Sequence, residues 1–571
     1  MKEEGVIMQF SAPFNEGNTV TAARVIASSL AGYGIERIFS VAGESFLSLL
    51  DALLDVEIDV VTCRHEGSAG FMALADAKLT GRTSACIVNR GPGASNACIA
   101  LHAAKQDATP FLLLVGGIRI ADMGRQAFQD MDYVKTFSDL AKGVWVLHDP
   151  TKAAEMVARA IRIAEAGTPG ASVLVLPEDI LEANFVSLLS PVQRWSEILT
   201  EPSSSNMKDI EDLLAASKRP LLIAGGRIAS LEERRLLQKV AVRHTIPIVA
   251  SNKHQDLFDN HHPYYAGHLN IATQAQQRHL LMQTDLILAV GTRLDHVTTQ
   301  HYTLPQAPIP AQKLVHVYPD ANQLGFVYQP SLGLTCGSIT FLKSLYTLTA
   351  SSQNLEHRRI WIEHLHTLEA EQAILSHQAP HNSDLFGAVI STCNELAASD
   401  VILTVDAGNF TSWVHRYFRF SASRRLLGIS SSSMGFGVPS GVAAALRYPD
   451  QQVITFVGDG GFLMTGNELA TAVQRHAKII IIIANNNSYG TIRQHQERAY
   501  PGRVAATDLY NPDFATLAQA YGALGLTISK EIEITPVLKQ AMSQCGPVVI
   551  DVKTDLTWIS AYSYLPDLAS S

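Results

Sequence analysis

Short apolar, β-rich runs alternate with helical patterns along the whole 571-residue chain, which dictates parallel sheets joined by crossover helices. Parallel strands cannot be joined by a tight turn. Each pair needs a crossover of a dozen or more residues, usually a helix. Three such series are visible. In the first, 37–41, 60–63, 84–88 and 111–115 read as strands, with helices over 45–54, 68–79 and 94–105 between them. The second places strands at 220–224, 246–250, 285–290 and 314–317, and the third at 401–405, 453–457, 479–484 and 548–552. Two stretches break the rhythm. Residues 190–206 carry Pro191, Pro202 and Ser203-Ser204-Ser205 and read as a connector, while 351–382, with Pro380 near its end, reads as a linking helix. The expected fold is therefore α/β, with three doubly wound parallel-sheet domains over 15–190, 200–348 and 375–560. Whether the first and third share a fold is left open.

Composition narrows the partners. With 44 Lys plus Arg against 53 Asp plus Glu, the net charge is −9, which lacks the basic footprint of a nucleic-acid binder. A small anion would need a local site. The six cysteines, at 63, 86, 98, 336, 393 and 545, form no C-x-x-C pair, so no zinc ribbon or dithiol motif is present. Met1–Gly5 leads into mixed polar residues rather than a secretory leader, and the apolar run 479–484 is far short of the roughly 20 residues that cross a bilayer. No nucleic-acid or membrane partner is expected, and the expected location is cytoplasmic.

Several catalytic motifs are excluded outright. There is no Gly-Lys dipeptide and hence no Walker loop, and neither H-E-x-x-H nor G-x-S-x-G occurs. The informative stretch is Val457-Gly458-Asp459-Gly460-Gly461, then a helical segment, the strand 479–484 and the turn Asn485-Asn486-Asn487. Both turns lie at the carboxyl ends of strands, where open α/β sheets bind ligands. Oxygen ligands from Asp459 and an Asn side chain suit Mg²⁺, and the glycines let backbone amides approach phosphate oxygens. Two ordinary turns, with Asp opening a helix and Asn accepting a positive φ, fit the same residues.

The G-D-G turn, followed 27 residues on (486 − 459) by the Asn-Asn turn, resembles the cofactor motif of thiamine diphosphate (ThDP) enzymes, acetolactate synthase-like members in particular. By that resemblance Asp459 and Asn486 side chains and the Ser488 carbonyl would hold Mg²⁺. Gly458, Gly460, Gly461, Tyr489 and Gly490 would surround the diphosphate, as would Ala407, Gly408, Asn409 and Phe410. Cys63-Arg64-His65-Glu66 resembles the R-H-E segment of the synthases, in which the glutamate hydrogen-bonds the aminopyrimidine and promotes its imino tautomer. Read alone, Glu66 is equally a first-turn helix glutamate favoured by the macrodipole. Ser432-Ser433-Met434-Gly435-Phe436-Gly437 resembles the segment whose bulky residue, here Met434, bends the cofactor and whose carbonyl, here Ser432, accepts from the aminopyrimidine. Arg90-Gly91-Pro92-Gly93-Ala94-Ser95-Asn96 resembles the pyrimidine-side turn, implicating Pro92 and Asn96. Ala127-Phe128-Gln129-Asp130 resembles the A-F-Q-E segment, which places Phe128 and Gln129 on the substrate, and Lys142 falls at a substrate-side lysine.

The resemblance covers nearly the whole chain and implies ThDP, Mg²⁺, a 2-oxo acid with a carbonyl acceptor, and a homodimer or homotetramer with sites shared across the subunit interface. It departs at two points that bear on substrate. Arg493-Gln494-His495-Gln496 stands for R-Q-W-Q, and Ala42-Gly43-Glu44 for P-G-G, so Glu44 and His495 are the specificity candidates. In the middle domain, the Gly225-Gly226 turn could serve a nucleotide but is common in any α/β domain. Gly291-Thr292-Arg293-Leu294-Asp295 resembles part of an FAD contact set and Asp320 stands near an expected adenosine-side acid, with an Arg293–Asp295 ion pair as the plain alternative. Decarboxylase relatives keep this fold without flavin, which leaves FAD open. The implied activity is decarboxylation of a 2-oxo acid, pyruvate by default, with carboligation. Simple decarboxylation, C–C bond cleavage, or a non-catalytic binding protein on the same fold are the alternatives.

Overall fold

The structure, a computed structural model, describes residues 19–186, 192–195, 199–375, 384–421 and 423–565. Met1–Gly5, Pro191, Pro380 and the outermost residues of the expected first domain, 15–18 and 187–190, lie outside the described residues. The chain divides into two compact units, the first running to Ser196 and the second from Glu197, Lys78–Gly81 excepted.

Three six-stranded sheets carry the fold, and every strand pairing within them is parallel. The first unit contains Arg37–Ser40, Asp59–Thr62, Ser84–Asn89, Phe111–Gly117, Gly143–Val146 and Ala171–Pro177. Counted in chain order, these strands lie side by side as 2-1-3-4-6-5. The C-terminal sheet, Ile402–Val405, Arg425–Leu427, Val453–Gly458, Ile479–Asn485, Leu524–Ile528 and Val548–Lys553, has the same order. The first and third series are thus one topology used twice. The middle sheet, Pro220–Ala224, Ile248–Ala250, Tyr265–His268, Leu286–Val290, Lys313–Tyr318 and Leu332–Thr335, runs 3-2-1-4-5-6. The central strands are buried on both faces, which is why Ile479 to Ala484 is apolar at every position rather than alternating.

Local differences from the sequence reading have physical causes. The 45–54 helix divides into a 3₁₀ turn, Glu44–Phe46, and a helix, Leu47–Leu53. The Arg90-Gly91-Pro92-Gly93 segment is the first turn of helix Arg90–Asp107, where Pro is tolerated because the first N–H groups have no intrahelical acceptor. The glycines after Asp459 likewise open a helix, Asp459–Thr465. The linking helix is present as Leu355–Gln372 and is fixed by Arg358, which donates to the carbonyls of Leu214, Ser217 and His244 while only 1% exposed. Of the cysteines, Cys63, Cys86, Cys336 and Cys393 are buried, Cys98 is half-buried and Cys545 exposed. No helix among the described residues is long and apolar enough to cross a membrane.

In the 2-1-3-4-6-5 order the chain leaves strand 1 for one side of the sheet and then crosses to strand 3 on the other. Their carboxyl ends therefore diverge and leave a crevice, the place where doubly wound sheets bind ligands. In the C-terminal sheet that crevice lies between Val405 and Gly458.

Candidate functional site

The crevice opens into a cavity of about 530 Å³ between the C-terminal and middle sheets, inside the volume range of small-molecule sites. Ala407, Gly408, Asn409 and Phe410 enter it from strand 1, Ser432 and Met434 from the loop after strand 2, Gly458 to Gly461 from strand 3. Strand 4 delivers Asn486, Ser488, Tyr489 and Gly490. Thus every C-terminal residue that the resemblance nominated lines one space. His495 reaches the same wall from helix Gly490–Ala499.

Asp459 is 3% exposed. Its carboxylate accepts from the Asn511 side chain at 2.8 Å and from the Gly460 amide at 2.9 Å. Burial holds its carboxyl above the usual range, opposed by Asn511 and by the amides of Gly460, Asn487 and Ser488. That opposition puts the strand 4 turn against the strand 3 carboxylate. Within the turn, the Asn486 side chain accepts from the Ser488 amide at 3.0 Å, and Asn487 takes the left-handed φ of +55°. The buried hydroxyl of Ser488 and the side-chain oxygen of Asn511 have no protein partner. One carboxylate, one side-chain amide oxygen, one backbone carbonyl and orphaned oxygens form a hard-oxygen set that fits Mg²⁺. Around it the backbone is bare: a methyl on Gly460 would stand 2.5 Å from the Tyr489 ring, and one on Gly490 3.1 Å from Asn409 and Asn486. Close backbone approach of this kind fits a diphosphate.

The loops are tied together by Asp406, a residue whose role the sequence did not disclose. It accepts from the amides of Ala407, Gly435 and Gly437 at 2.6 to 3.0 Å, fastening the Met434 turn to the end of strand 1. Burial pushes its carboxyl up to about 6 in spite of those bonds.

In the first unit the same topology assembles a polar surface. Glu66 follows strand 2 and accepts from Asn96 at 2.9 Å, while a methyl on Gly93 would come within 3.5 Å of its other oxygen. Gly91 donates to the Gln129 carbonyl at 3.1 Å, which brings the Phe128-Gln129 turn beside the Pro92 helix start. The side-chain oxygen of Gln129 is buried without a protein partner, and Phe128 is 75% exposed. Glu44 pairs with Arg90 at 3.3 Å and accepts from Asn89 at 3.3 Å. Its carboxyl lies below the usual range, its own backbone amide first among the causes. Lys142 is not brought to this group. It precedes strand Gly143–Val146 and donates to the Ala166 carbonyl, so it sits at the amino end of the sheet whose carboxyl end carries Glu66.

The comparisons with known proteins agree with this architecture. Residues 20–136 match the N-terminal TPP binding domain of thiamine pyrophosphate enzymes, 207–345 their central domain and 406–552 their C-terminal TPP binding domain. The chain belongs to the thiamine pyrophosphate enzyme family. Thiamine pyrophosphate is the ThDP of the sequence resemblance. Among its relatives, the catabolic acetolactate synthase of Raoultella terrigena is 28% identical over 561 residues, covering 95% of this chain and 96% of the relative. The large subunit of acetolactate synthase isozyme 1 of Escherichia coli K12 is 27% identical over 545 residues, 94% of each chain. That of Cyanidium caldarium is 27% identical over 549 residues, 93% of this chain and 92% of the relative.

Three residues at or beside the cavity escaped sequence reasoning. Asn511 lies in a loop with no motif of its own, and only folding sets it on Asp459. Asp406 was visible as the residue closing an apolar strand. Lys253, from the middle sheet, reaches the cavity wall. Its position just past a strand's carboxyl end was the one available signal.

Proposed function

We propose that this chain is a ThDP- and Mg²⁺-dependent enzyme that decarboxylates a 2-oxo acid and joins the remaining fragment to a carbonyl acceptor, with pyruvate as the default donor. The observation that carries this reading is the convergence of Asp459, Asn486 and Ser488 with a bare glycine backbone at the switch point of one sheet. Asp459, Asn486 and the Ser488 carbonyl hold the metal. Gly408, Asn409, Gly460, Gly461 and Gly490 would admit the diphosphate, Met434 would pack against the cofactor rings, and Ser432 would offer its carbonyl to the aminopyrimidine. Once bound, the thiazolium supplies the electron sink for breaking a C–C bond beside a carbonyl. Glu66 would hold a proton at the pyrimidine nitrogen, and in the dimer we propose it would serve the cofactor bound by a second copy. The acetolactate synthase names of the relatives support carboligation.

The middle-domain residues do not fit a flavin. Asp295 accepts from Val297, Thr298 and the Thr298 hydroxyl of its own loop, and Asp320 caps Asn322. The ring of His254 covers the glycine turn, 2.6 Å from where a methyl on Gly226 would stand. The reaction we propose uses no FAD, and flavin absorbance in purified protein would overturn that part.

The test is Glu66→Gln. At saturating ThDP and Mg²⁺ it should lower turnover by about 100-fold or more while cofactor binding, followed by protein fluorescence, persists. Full activity in this variant sinks the assignment. A screen of 2-oxo acids for CO₂ release, with and without aldehyde or 2-oxo acid acceptors, then identifies donor and product.

A further inference from the structure

Strand Val548–Lys553 contains one residue that its apolar surroundings do not explain. Val548, Val549, Ile550 and Val552 are buried, and Asp551 among them is 0% exposed. A buried carboxylate is costly unless its oxygens find donors. The donors of Asp551 lead towards the metal end of the cavity.

Oδ1 of Asp551 accepts from the Asn485 side chain at 2.9 Å. Oδ2 accepts from the Lys553 ammonium at 2.5 Å and from the Phe514 amide at 3.4 Å. Asn485 ends strand 4, which pairs with strand 3 on one side and with the strand of Asp551 on the other. Its side-chain oxygen accepts from Asn511 at 2.9 Å, and the same Asn511 nitrogen donates to Asp459 at 2.8 Å. Two amides therefore join two carboxylates, Asp459 at one end and Asp551 at the other.

Such a chain has one workable polarity. A carboxylate accepts, so Asn511 must turn its nitrogen to Asp459. That nitrogen also faces Asn485, which must meet it with oxygen, and the Asn485 nitrogen is then directed at Asp551. An acceptor at position 551 keeps the whole series pointing one way. Asp551 also anchors the segment that carries Asn511, since Phe514, whose amide it accepts, opens helix Phe514–Tyr521 just after that residue. At the far end, Asn511 on Oδ2 and the Gly460 amide on Oδ1 stop the Asp459 carboxylate from rotating. Hydrogen bonds to a ligating carboxylate orient it for the metal. We propose that Asp551 is a positioning residue that acts through Asn485 and Asn511 to hold Asp459 in its metal-binding pose. This rests on the ThDP and Mg²⁺ reading.

Metal affinity tests it. Full-length protein with saturating ThDP is titrated with Mn²⁺, a cation that favours the same oxygen ligands as Mg²⁺ and whose free ion is counted by electron paramagnetic resonance. Asp551→Leu should weaken Mn²⁺ binding by about tenfold, and Asn485→Leu by a similar factor. The double variant should bind no more weakly than the worse single one, because both changes break the same chain. A purely structural role would instead let the two losses multiply. Asp551→Asn, whose side-chain oxygen can still accept from Asn485, should stay within about twofold of wild type. Unchanged affinity in Asp551→Leu, losses that multiply in the double variant, or a tenfold loss in Asp551→Asn each overturn the proposal. If Asp551→Leu does not fold, Asp551→Ser, too short to reach Asn485, replaces it in every comparison. A wild type that binds no Mn²⁺ in the presence of ThDP overturns the cofactor reading and the proposal with it, whereas wild-type binding that the variants leave untouched overturns the proposal alone.

Discussion

At the scale of single residues, the cavity depends as much on absent side chains as on present ones. Gly460 has the Tyr489 ring 2.5 Å from the place a methyl would occupy. Adding that methyl displaces either the ring or the start of helix Asp459–Thr465, both of which shape the diphosphate end. Gly460→Ala should therefore weaken ThDP binding by about tenfold or more, since sub-ångström shifts in such loops carry costs of 1–3 kcal/mol, with secondary structure retained. Unchanged cofactor affinity in a fluorescence titration would show that the backbone approach is not needed. Asn511 acts differently, by satisfying an oxygen of Asp459 and bridging to Asn485 at 2.9 Å. Neither its partner nor its place is legible in the sequence, because 52 residues separate it from Asp459. The motif residues were legible for the opposite reason. Asp459, Gly460 and Asn486 stand at the ends of strands that the apolar pattern itself locates.

At the scale of elements, the strands that sequence reasoning found are mostly the interior ones. It missed Gly143–Val146, Tyr265–His268, Leu332–Thr335, Arg425–Leu427 and Leu524–Ile528, all edge strands of their sheets, and one internal strand, Ala171–Pro177. An edge strand has one neighbour and is shorter or partly exposed, so its residues need not form a continuous apolar run. The linking helix Leu355–Gln372 was legible from its polar, helix-prone composition, but what holds it was not. Arg358 is buried, its guanidinium donating to the carbonyls of Leu214, Ser217 and His244 with the Asp285 carboxylate contributing opposite charge. Arg358→Met removes the donors and leaves buried carbonyls unpaired, at a cost of about 3 kcal/mol or more. Scanning calorimetry should show a lower unfolding temperature for this variant, and an unaltered one would mean that water replaces the guanidinium.

At the scale of the whole molecule, one consequence concerns pH and another concerns assembly. His244 and His415 are buried and His268 half-buried, and all three are held neutral, their pKa values lowered chiefly by desolvation and, for His268, pushed down to about 3. Unfolded, each would titrate near 6.5. The native state thus binds fewer protons, so the stability these residues support is complete above about pH 6.5 and declines as pH falls below it, by about 1 kcal/mol per histidine per pH unit. Urea unfolding at pH 7.5 and 5.5 should show that decline, and His268→Gln should flatten it. A steeper curve in the variant would reverse the sign assigned here.

The shared sites proposed above make a separate prediction. Glu66→Gln and Asp459→Asn should each be inactive, yet co-expressed copies should regain about a quarter of wild-type activity, since about half of randomly paired dimers are mixed and each has one intact site. No recovery would show that each chain completes its own site.

The sequence by itself determined the parallel α/β class, the three series and the residues at the tips of the central strands. These depend on local periodicity and on short motifs, which a linear chain displays directly. Tertiary structure alone decided that the first and third sheets share one strand order, that Asp406 and Asn511 brace the cofactor loops, and that Lys253 crosses from the middle domain to the cavity wall. Such facts depend on which distant segments are packed together. Packing is set by the summed burial of whole sheets, and no local stretch of sequence records it.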